Sequence, residues 1–111
     1  MARVDEYRTY VRKLIEQYGS YRLPQKQIER QIIFDDKNDH YLLFSTGWIG
    51  DERIHGCTIH IDIKDGKIWI QDNRTEIDIA NDLVELGVPK EDIVLGFHAP
   101  YKRPYTGFAV N

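Results

Sequence analysis

Only one cysteine, Cys57, occurs among the 111 residues of this chain. A single cysteine excludes an intramolecular disulfide and any metal centre built from several thiolates. No apolar run approaches the roughly 20 residues that a membrane-spanning helix needs. The stretch MARVDEYRTY at the N-terminus lacks the apolar core of a secretory signal. We therefore expect a cytoplasmic protein without a membrane segment.

The motifs that usually accompany nucleotide or metal chemistry are also missing. No GxGxxG or GxxxxGK[ST] loop is present to hold a phosphate group. Four histidines are spread along the chain: His40, His55, His60 and His98. Their spacing matches no zinc pattern such as HExxH. The sequence therefore predicts no metal site, no cofactor and no set of catalytic residues.

Positive charge is scarce in the middle of the chain. Residues 1–34 carry a net charge of +3, residues 35–98 carry −8, and the last thirteen residues carry +2. Proteins that bind nucleic acid by themselves normally present a basic patch on a basic domain. This distribution makes direct DNA binding by the isolated chain unfavourable, although the basic ends could meet phosphate within an assembly.

What the chain does contain is typical of one globular domain, which we expect to span residues 1–111. Hydrophobic residues make up 41% of the sequence and charged residues 30%, which does not resemble a disordered segment. A chain of this length can bury a core without disulfide or metal staples.

The segment HIDIKDGKIWIQ, residues 60–71, predicts a β-hairpin. The Asp65-Gly66 pair suits a type I′ turn, whose two central residues both need positive φ. Counting outward from this turn places four pairs opposite each other: Ile63 with Ile68, Asp62 with Trp69, Ile61 with Ile70, and His60 with Gln71. The isoleucines, together with Ile59 and Cys57, then share a core face. The other face is polar and carries Thr58, His60, Asp62, Trp69 and Gln71.

The remaining patterns predict an α+β fold. Apolar residues at helical spacing indicate a helix over residues 3–18 that ends near Gly19, and a loop follows around Pro24. Strands are predicted at 28–34, 40–48, 53–64 and 67–71, which short connections arrange as a four-stranded, mainly antiparallel sheet. A second helix is capped by Thr75, with Asp78 completing a variant capping box, and ends at Gly87. The run 93–97 is a fifth strand or an extended segment, and an irregular tail packs on the body.

Two features of the polar face invite a functional interpretation. His60 and Asp62 point the same way and could form an oriented base, but no serine or cysteine nucleophile accompanies them. Trp69 is either covered by the tail or is an anchor of a protein interface, where Trp, Tyr and Arg carry most of the binding energy. The tail offers Tyr101, Arg103 and Tyr105 for the same role.

Three long strings resemble the XisI family, the fdxN element excision controlling factors of cyanobacteria. They are GWIGDERIHGCTIHIDIKDGKIWIQ (47–71), TEIDIANDLVELGVPKEDIVLGFHAP (75–100) and YKRPYTGFAV (101–110). The first helix, with its YRxxVxxLIxxY pattern, extends the resemblance over nearly the whole chain.

The resemblance implies a regulatory role without a chemistry of its own. Family members act with a partner, XisH, which resembles nucleases, so that a site-specific recombinase excises a DNA element during heterocyst differentiation. We therefore expect a non-enzymatic protein that binds an XisH-like partner, with a site-specific recombinase complex as a further partner. The expected contact residues are His60, Asp62, Trp69, Tyr101, Arg103 and Tyr105.

Two other functions stay open at this point. One is a small hydrolase that uses His60 and Asp62. The other is a DNA-binding accessory protein that uses the basic first helix, which predicts binding that falls steeply with salt. We also expect a homo-oligomer, because strand edges and an exposed tryptophan favour pairing between copies.

Overall fold

A computed structural model of the chain describes residues 2–20 and 27–111. The helices are α1 (Ala2–Gly19) and α2 (Ile79–Glu85), and the strands are β1 (Ile28–Asp35), β2 (His40–Ile49), β3 (Glu52–Lys64), β4 (Lys67–Asn73) and β5 (Ile93–Leu95). Two 3-10 helices complete the structure: a short turn, Lys90–Asp92, and the tail helix, Pro100–Tyr105. The predicted α+β class is confirmed, whereas the loop predicted around Pro24 lies outside the described residues.

The sheet has five strands in the order β1-β2-β3-β4-β5, so the prediction of four was one too few. β1 to β4 form the predicted antiparallel meander. β5 lies parallel to β4, because the chain returns to the sheet through α2, and such a crossover joins parallel neighbours. Only the first three residues of the run 93–97 form this strand. Beyond it, Ala109 of the tail makes a parallel bridge to Val94.

The hydrophobic core lies between the helices and one face of the sheet. It contains α1 residues at helical spacing, α2 residues and the predicted isoleucines of the hairpin: Tyr7, Val11, Leu14, Ile15, Tyr18, Ile79, Ala80, Leu83, Ile59, Ile61, Ile63, Ile68 and Ile70. The alternation of side chains along each strand sends His40, Leu42, His60, Asp62 and Trp69 to the opposite side, which we call the open face.

The hairpin turn and most of its register agree with the sequence. Asp65 and Gly66 have φ values of 54° and 76°, as a type I′ turn requires. The pairs Ile63 with Ile68, Asp62 with Trp69, and Ile61 with Ile70 are all present. The predicted pairing of His60 with Gln71 is wrong. A bulge shifts the register between His60 and Ile61, so that His60 lies opposite Asp72 and Gln71 is the extra residue of β4.

A second bulge interrupts the ladder between β2 and β3. Phe44 pairs with Cys57 and Leu43 pairs with Ile59, which leaves Thr58 as the extra residue of β3. Its hydroxyl lies 2.7 Å from that of Ser45 on β2. Because of this bulge, Cys57 does not continue the isoleucine face: it is half-buried and stands outside the core cluster.

The cap of α2 also differs from the prediction. The N-cap residue is Asp78, whose Oδ1 accepts a hydrogen bond from the backbone N–H of Asn81. Thr75 lies before the helix, where its hydroxyl accepts from the N–H of Ile77. The helix therefore begins three residues later than a Thr75 cap would place it. Gly87, with φ of 108°, follows the C-cap as predicted.

Helix α1 is held against the rest of the chain by acidic partners at the rim of the core. Tyr7 donates a hydrogen bond to Asp92, and Tyr18 donates to Asp82 of α2 at 2.7 Å. Burial and the nearby Asp92 raise the pKa of Tyr7 to about 12. Arg8 binds Asp39 through two contacts, from Nε at 2.7 Å and from Nη2 at 3.1 Å. These hydrogen bonds lower the pKa of the Asp39 carboxyl.

We predict that Gly47→Ala destabilises the fold by about 3 kcal/mol or more, at the upper end of overpacking effects. A Cβ atom at position 47 would lie 2.0 Å from the Gln27 carbonyl oxygen and 2.8 Å from the Ile28 Cα atom, and neither backbone atom can move freely. Gly56→Ala is the control, because no heavy atom beyond its two chain neighbours lies within 4 Å of the added Cβ, and its effect should stay within about 1 kcal/mol. Urea unfolding measures both. Equal stabilities of the two variants would contradict the β1–β2 register.

We also predict that Asp39→Asn reduces the loss of stability in acid. The pKa of Asp39 is lower in the folded chain than in the unfolded chain, so the unfolded chain binds this proton more readily. The carboxylate therefore stabilises the fold above about pH 4, and this contribution is lost as pH falls through the folded-state pKa. Asparagine tolerates the positive φ of 58° at this position.

The measurement compares free energies of unfolding in urea at neutral pH and at about pH 3, below the ordinary pKa of an aspartate. The difference between the two should be smaller in Asp39→Asn than in the unaltered chain. Asp51→Asn, in the exposed turn between β2 and β3, serves as the control. An unchanged difference in Asp39→Asn would contradict the contact with Arg8.

Candidate functional site

The open face has a polar centre at the carboxylate of Asp62. Nδ1 of His40 and Nε2 of His60 each lie 2.8 Å from the same oxygen, Oδ1 of Asp62. Since a carboxylate oxygen accepts, each imidazole donates its N–H. The second oxygen, Oδ2, accepts a hydrogen bond from Nε2 of Gln71 at 3.2 Å. We call His40, His60, Asp62 and Gln71 the histidine cluster.

The two bulges bring this cluster together. Unbroken pairing from the Gly50-Asp51 turn would place His40 opposite Ile61. The extra residue Thr58 moves the register by one, so that His40 lies directly opposite Asp62. Gln71, the extra residue of β4, directs its amide to the same carboxylate. The bulge in β3 thus brings His40 to Asp62, and the bulge in β4 brings Gln71 there. Bulges beside functional sites often reorient side chains in this way.

The surroundings raise the pKa of His40 in the cluster and also the pKa of the Cys57 thiol, for different reasons. The hydrogen bond to Asp62, followed by the charge of that carboxylate, raises the pKa of His40 above its ordinary value of 6.5. Cys57 lies further along β3, and burial raises the pKa of its thiol. The thiol donates to the carbonyl oxygen of Ile59 at 3.1 Å. A protonated thiol with this contact is a poor nucleophile.

Trp69 continues the open face next to Asp62, its cross-strand partner. The tail covers its ring, in agreement with one of the two interpretations of the sequence, because the Arg103 guanidinium lies 5.4 Å from the ring centroid. Lys64 of β3 also lies over the ring, with Nζ at 4.9 Å from the centroid. The indole Nε1 is buried and has no hydrogen-bond partner among the described residues. Trp69 therefore supports the tail, and little of its polar edge is available to another molecule.

Arg103 also fixes the tail helix through the backbone. Its Nε donates to the His98 carbonyl oxygen at 3.1 Å, and its Nη1 donates to the Val110 carbonyl oxygen at 3.3 Å. The two tyrosines on either side of it point to solvent: Tyr101 is 72% exposed and Tyr105 is 88% exposed. The structure thus presents two large aromatic side chains on a segment that is anchored at several points.

The six residues predicted for a partner surface fall into two neighbouring groups. His60 and Asp62 belong to the histidine cluster, and Trp69 connects Asp62 to Arg103 and the tail tyrosines. The prediction that they bind a partner remains untested. His40 was missed as a member of the cluster, because its position depends on the bulge at Thr58. The hydroxyls of Ser45 and Thr58 lie side by side at this bulge, but no pattern in the linear sequence identifies these two residues as neighbours.

Neither helix of the described residues combines the length and the apolar character that a membrane crossing requires.

The helices, the mixed five-stranded sheet and the ordered tail define a small α+β domain with one covered and one open sheet face. A family model described as XisI protein matches residues 1–110. The chain belongs to the XisI family, and the resemblance seen in the sequence is confirmed. A comparison with curated proteins gives no significant match.

Among the solved structures that match this chain, two show the same fold over nearly its whole length. One is a XisI-like protein from Anabaena variabilis, which is 48% identical to this chain with a TM-score of 0.89. That match covers 96% of this chain and 97% of the other. The second is the fdxN element excision controlling factor XisI from the same organism, 34% identical with a TM-score of 0.85 and coverage of 98% and 99%.

We predict that Asp62→Asn lowers the pKa of His40 towards 6.5. The asparagine keeps the shape of the side chain but removes the negative charge that favours the imidazolium. Imidazole NMR signals followed against pH, in the presence of a chelator, measure the shift. Asp51→Asn should leave this titration unchanged. A pKa of His40 that is the same with and without the Asp62 charge would contradict the described contact.

The sign of the linked stability follows from the same shift. A histidine whose folded-state pKa is raised stabilises the fold below its unfolded value of about 6.5, and this contribution is lost as pH rises through the folded-state pKa. Asp62→Asn should remove this component of the pH dependence.

Proposed function

We propose that this chain is a non-enzymatic excision controlling factor that acts by binding an XisH-like, nuclease-type partner. The complex would regulate excision of a DNA element by a site-specific recombinase in the cytoplasm of a cyanobacterium, during heterocyst differentiation. This proposal is supported by the similarity to the fdxN element excision controlling factor XisI of Anabaena variabilis and by the surface that the tail forms.

The exposed tyrosines of the tail helix carry the proposal. Tyr101 and Tyr105 are the two most exposed large hydrophobic side chains in the described part of the chain. Exposed aromatic residues on a pre-ordered segment are favourable interface anchors, since their binding sacrifices little conformational freedom. Arg103 and Trp69 hold this segment in place. His60 and Asp62 extend the proposed contact surface across the open face.

Charge supports a partner that handles DNA. The net charge of −8 over residues 35–98 covers most of the sheet and α2. A protein that binds or cuts DNA generally carries a basic surface. Opposite charges would guide the two proteins together and favour this pairing over others.

The arrangement of the histidine cluster is less suited to a hydrolase. His40 and His60 share one oxygen of Asp62, so this carboxylate does not orient one imidazole towards a nucleophile. The nearby thiol of Cys57 has a raised pKa and bonds to the backbone. A binding role therefore accounts for the open face better than a catalytic base does.

The first helix is less suited to DNA than its composition indicates. Arg8 binds Asp39, Arg12 Nη1 lies 2.7 Å from Asp36, and Arg3 Nη1 lies 3.4 Å from Asp92. These arginines already face carboxylates, so fewer of their charges are available to neutralise phosphate. We accordingly assign DNA contact to the partner.

We further propose that the chain self-associates through the outer edge of β1. Among the described residues, no strand pairs with this edge, and Ile32 and Ile33 are each 43% exposed. An unpaired strand edge with apolar side chains favours pairing with another copy.

We predict that Tyr105→Ala weakens the complex with the proposed XisH-like partner by about 2 kcal/mol or more, a loss of roughly thirtyfold in affinity. The side chain is 88% exposed, so its removal should not affect folding. Isothermal titration calorimetry with the two proteins purified separately measures the change. Tyr105 is preferable to Trp69 for this test, because truncating Trp69 would also loosen the tail.

Trp48→Ala is the matched control. Trp48 is an exposed aromatic residue near the far end of β2, close to Arg53, and its truncation should leave the affinity unchanged. Failure of the two proteins to form a complex would contradict the proposed function. A complex that loses affinity in Trp48→Ala but not in Tyr105→Ala would move the interface away from the tail.

A further inference from the structure

We propose that His40, His60 and Asp62 form a binding site for a divalent transition metal ion, with Zn²⁺ as the best-matched ion. Two imidazoles and one carboxylate converge on a single point of the open face. The proposal extends beyond the regulatory function and does not depend on it, since binding can be measured on this chain alone.

The distances suit metal coordination after a small movement. The ligand atoms of the three residues all lie within 4.8 Å of one another. Tetrahedral zinc with bonds of about 2.0–2.1 Å holds its ligand atoms roughly 3.3 Å apart. The two imidazole nitrogens, now 2.8 Å from Asp62 Oδ1, therefore need to move away from this oxygen by about 0.5 Å. No pair of ligand atoms needs to approach by more than about 1.5 Å. Side-chain rotation on neighbouring strands can supply this change.

The backbone already places the ligands for a shared ion. His60 and Asp62 are two residues apart on β3 and point the same way, and His40 lies directly across the ladder from Asp62. Sites built on strands hold ligand atoms more precisely than sites built on loops. The side chain of His40 is about half exposed, at 51%, so an ion can reach the site and solvent can complete its coordination.

Gln71 supplies the outer support that metal sites commonly have. Its amide donates to Oδ2 of Asp62, which fixes the carboxylate and leaves Oδ1 directed at both imidazoles. Groups that orient a ligand in this way contribute substantially to metal affinity. The bulge at Gln71 thus has a specific purpose in the proposed site.

The proton changes on binding are defined by the hydrogen bonds. Nδ1 of His40 and Nε2 of His60 now carry the protons that they donate to Asp62. Coordination requires the lone pair of each nitrogen, so a neutral ring must move its proton to its other nitrogen. An imidazolium must release one proton to solvent. Affinity should therefore fall as the solution becomes more acidic.

The ligand types select the class of ion. Imidazole nitrogen together with carboxylate oxygen suits zinc and neighbouring transition metals, whereas Mg²⁺ and Ca²⁺ prefer sites made of oxygen alone. Zn²⁺ should therefore bind in the presence of a large excess of Mg²⁺. Co²⁺ serves as a spectroscopic substitute for zinc in the same site.

The test is calorimetric titration of Zn²⁺ into the untagged full chain after removal of metals with a chelator. We expect one ion per chain, and loss of this binding in His60→Ala and in Asp62→Asn. Gln71→Ala should weaken it by about tenfold to a hundredfold. His40→Ala gives an independent check at a more exposed position, and circular dichroism verifies that each variant is folded.

Two control variants separate this site from other ligands on β3. His55→Ala and Cys57→Ser should bind Zn²⁺ as the unaltered chain does, and the Co²⁺ complex should lack a thiolate charge-transfer band. No saturable binding of Zn²⁺ would overturn the proposal. Binding that persists in folded His40→Ala, His60→Ala and Asp62→Asn variants, or that disappears in Cys57→Ser, would overturn it as well.

Discussion

The pairing of β3 with both of its neighbours is the constraint on which the fold and the candidate site depend. Ile59, Ile61 and Ile63 of this strand, with Ile68 and Ile70 of β4, are almost completely buried. Burial of each isoleucine contributes about 1.5–3 kcal/mol, which is a large amount beside the roughly 5–15 kcal/mol net stability of a typical domain. A slip of one residue would turn all the isoleucines of the slipped strand to the open face. By fixing the register of the strands, the core also fixes the positions of the polar side chains on the open face.

The core-forming parts of this structure could be predicted from the sequence because their signals are local. Helical spacing located α1, the Asp65-Gly66 pair located the hairpin turn, and alternation located the isoleucine face. The sequence was less informative where distant segments decide the outcome. β5 is only three residues long and becomes a strand by pairing with β4, whereas Asp78 replaced Thr75 as the cap because Thr75 is used in the turn before α2.

The candidate site was only partly predictable for a related reason. The sequence placed His60, Asp62, Trp69 and Gln71 on one face, and the structure agrees. It did not reveal that His40 belongs with them, since that requires the extra residue Thr58 between β2 and β3. A bulge depends on the fit of two strands and leaves no fixed pattern in either one. Zinc motifs such as HExxH are recognised by a short spacing within one element. His40 and His60 lie on two different strands, so no such spacing connects them.

The open face combines two chemically different surfaces that Trp69 joins. On one side lies the histidine cluster, where polar groups converge on a single carboxylate oxygen. On the other side lies the tail. Its Arg103 packs over the indole, and the tail carries two exposed tyrosines. The first surface suits a small cation and the second suits a protein. Under the proposed function, the acidic middle of the chain would favour a partner with a basic surface.

The most direct test of this account is the register of β2 against β3, measured by cross-strand NOE contacts between backbone protons in a labelled sample. The structure predicts contacts that connect His40 with Asp62 and Leu42 with His60. This result would establish the bulge that assembles the histidine cluster. Contacts of His40 with Ile61 instead would show an unbroken ladder, separate His40 from Asp62, and contradict the central claim.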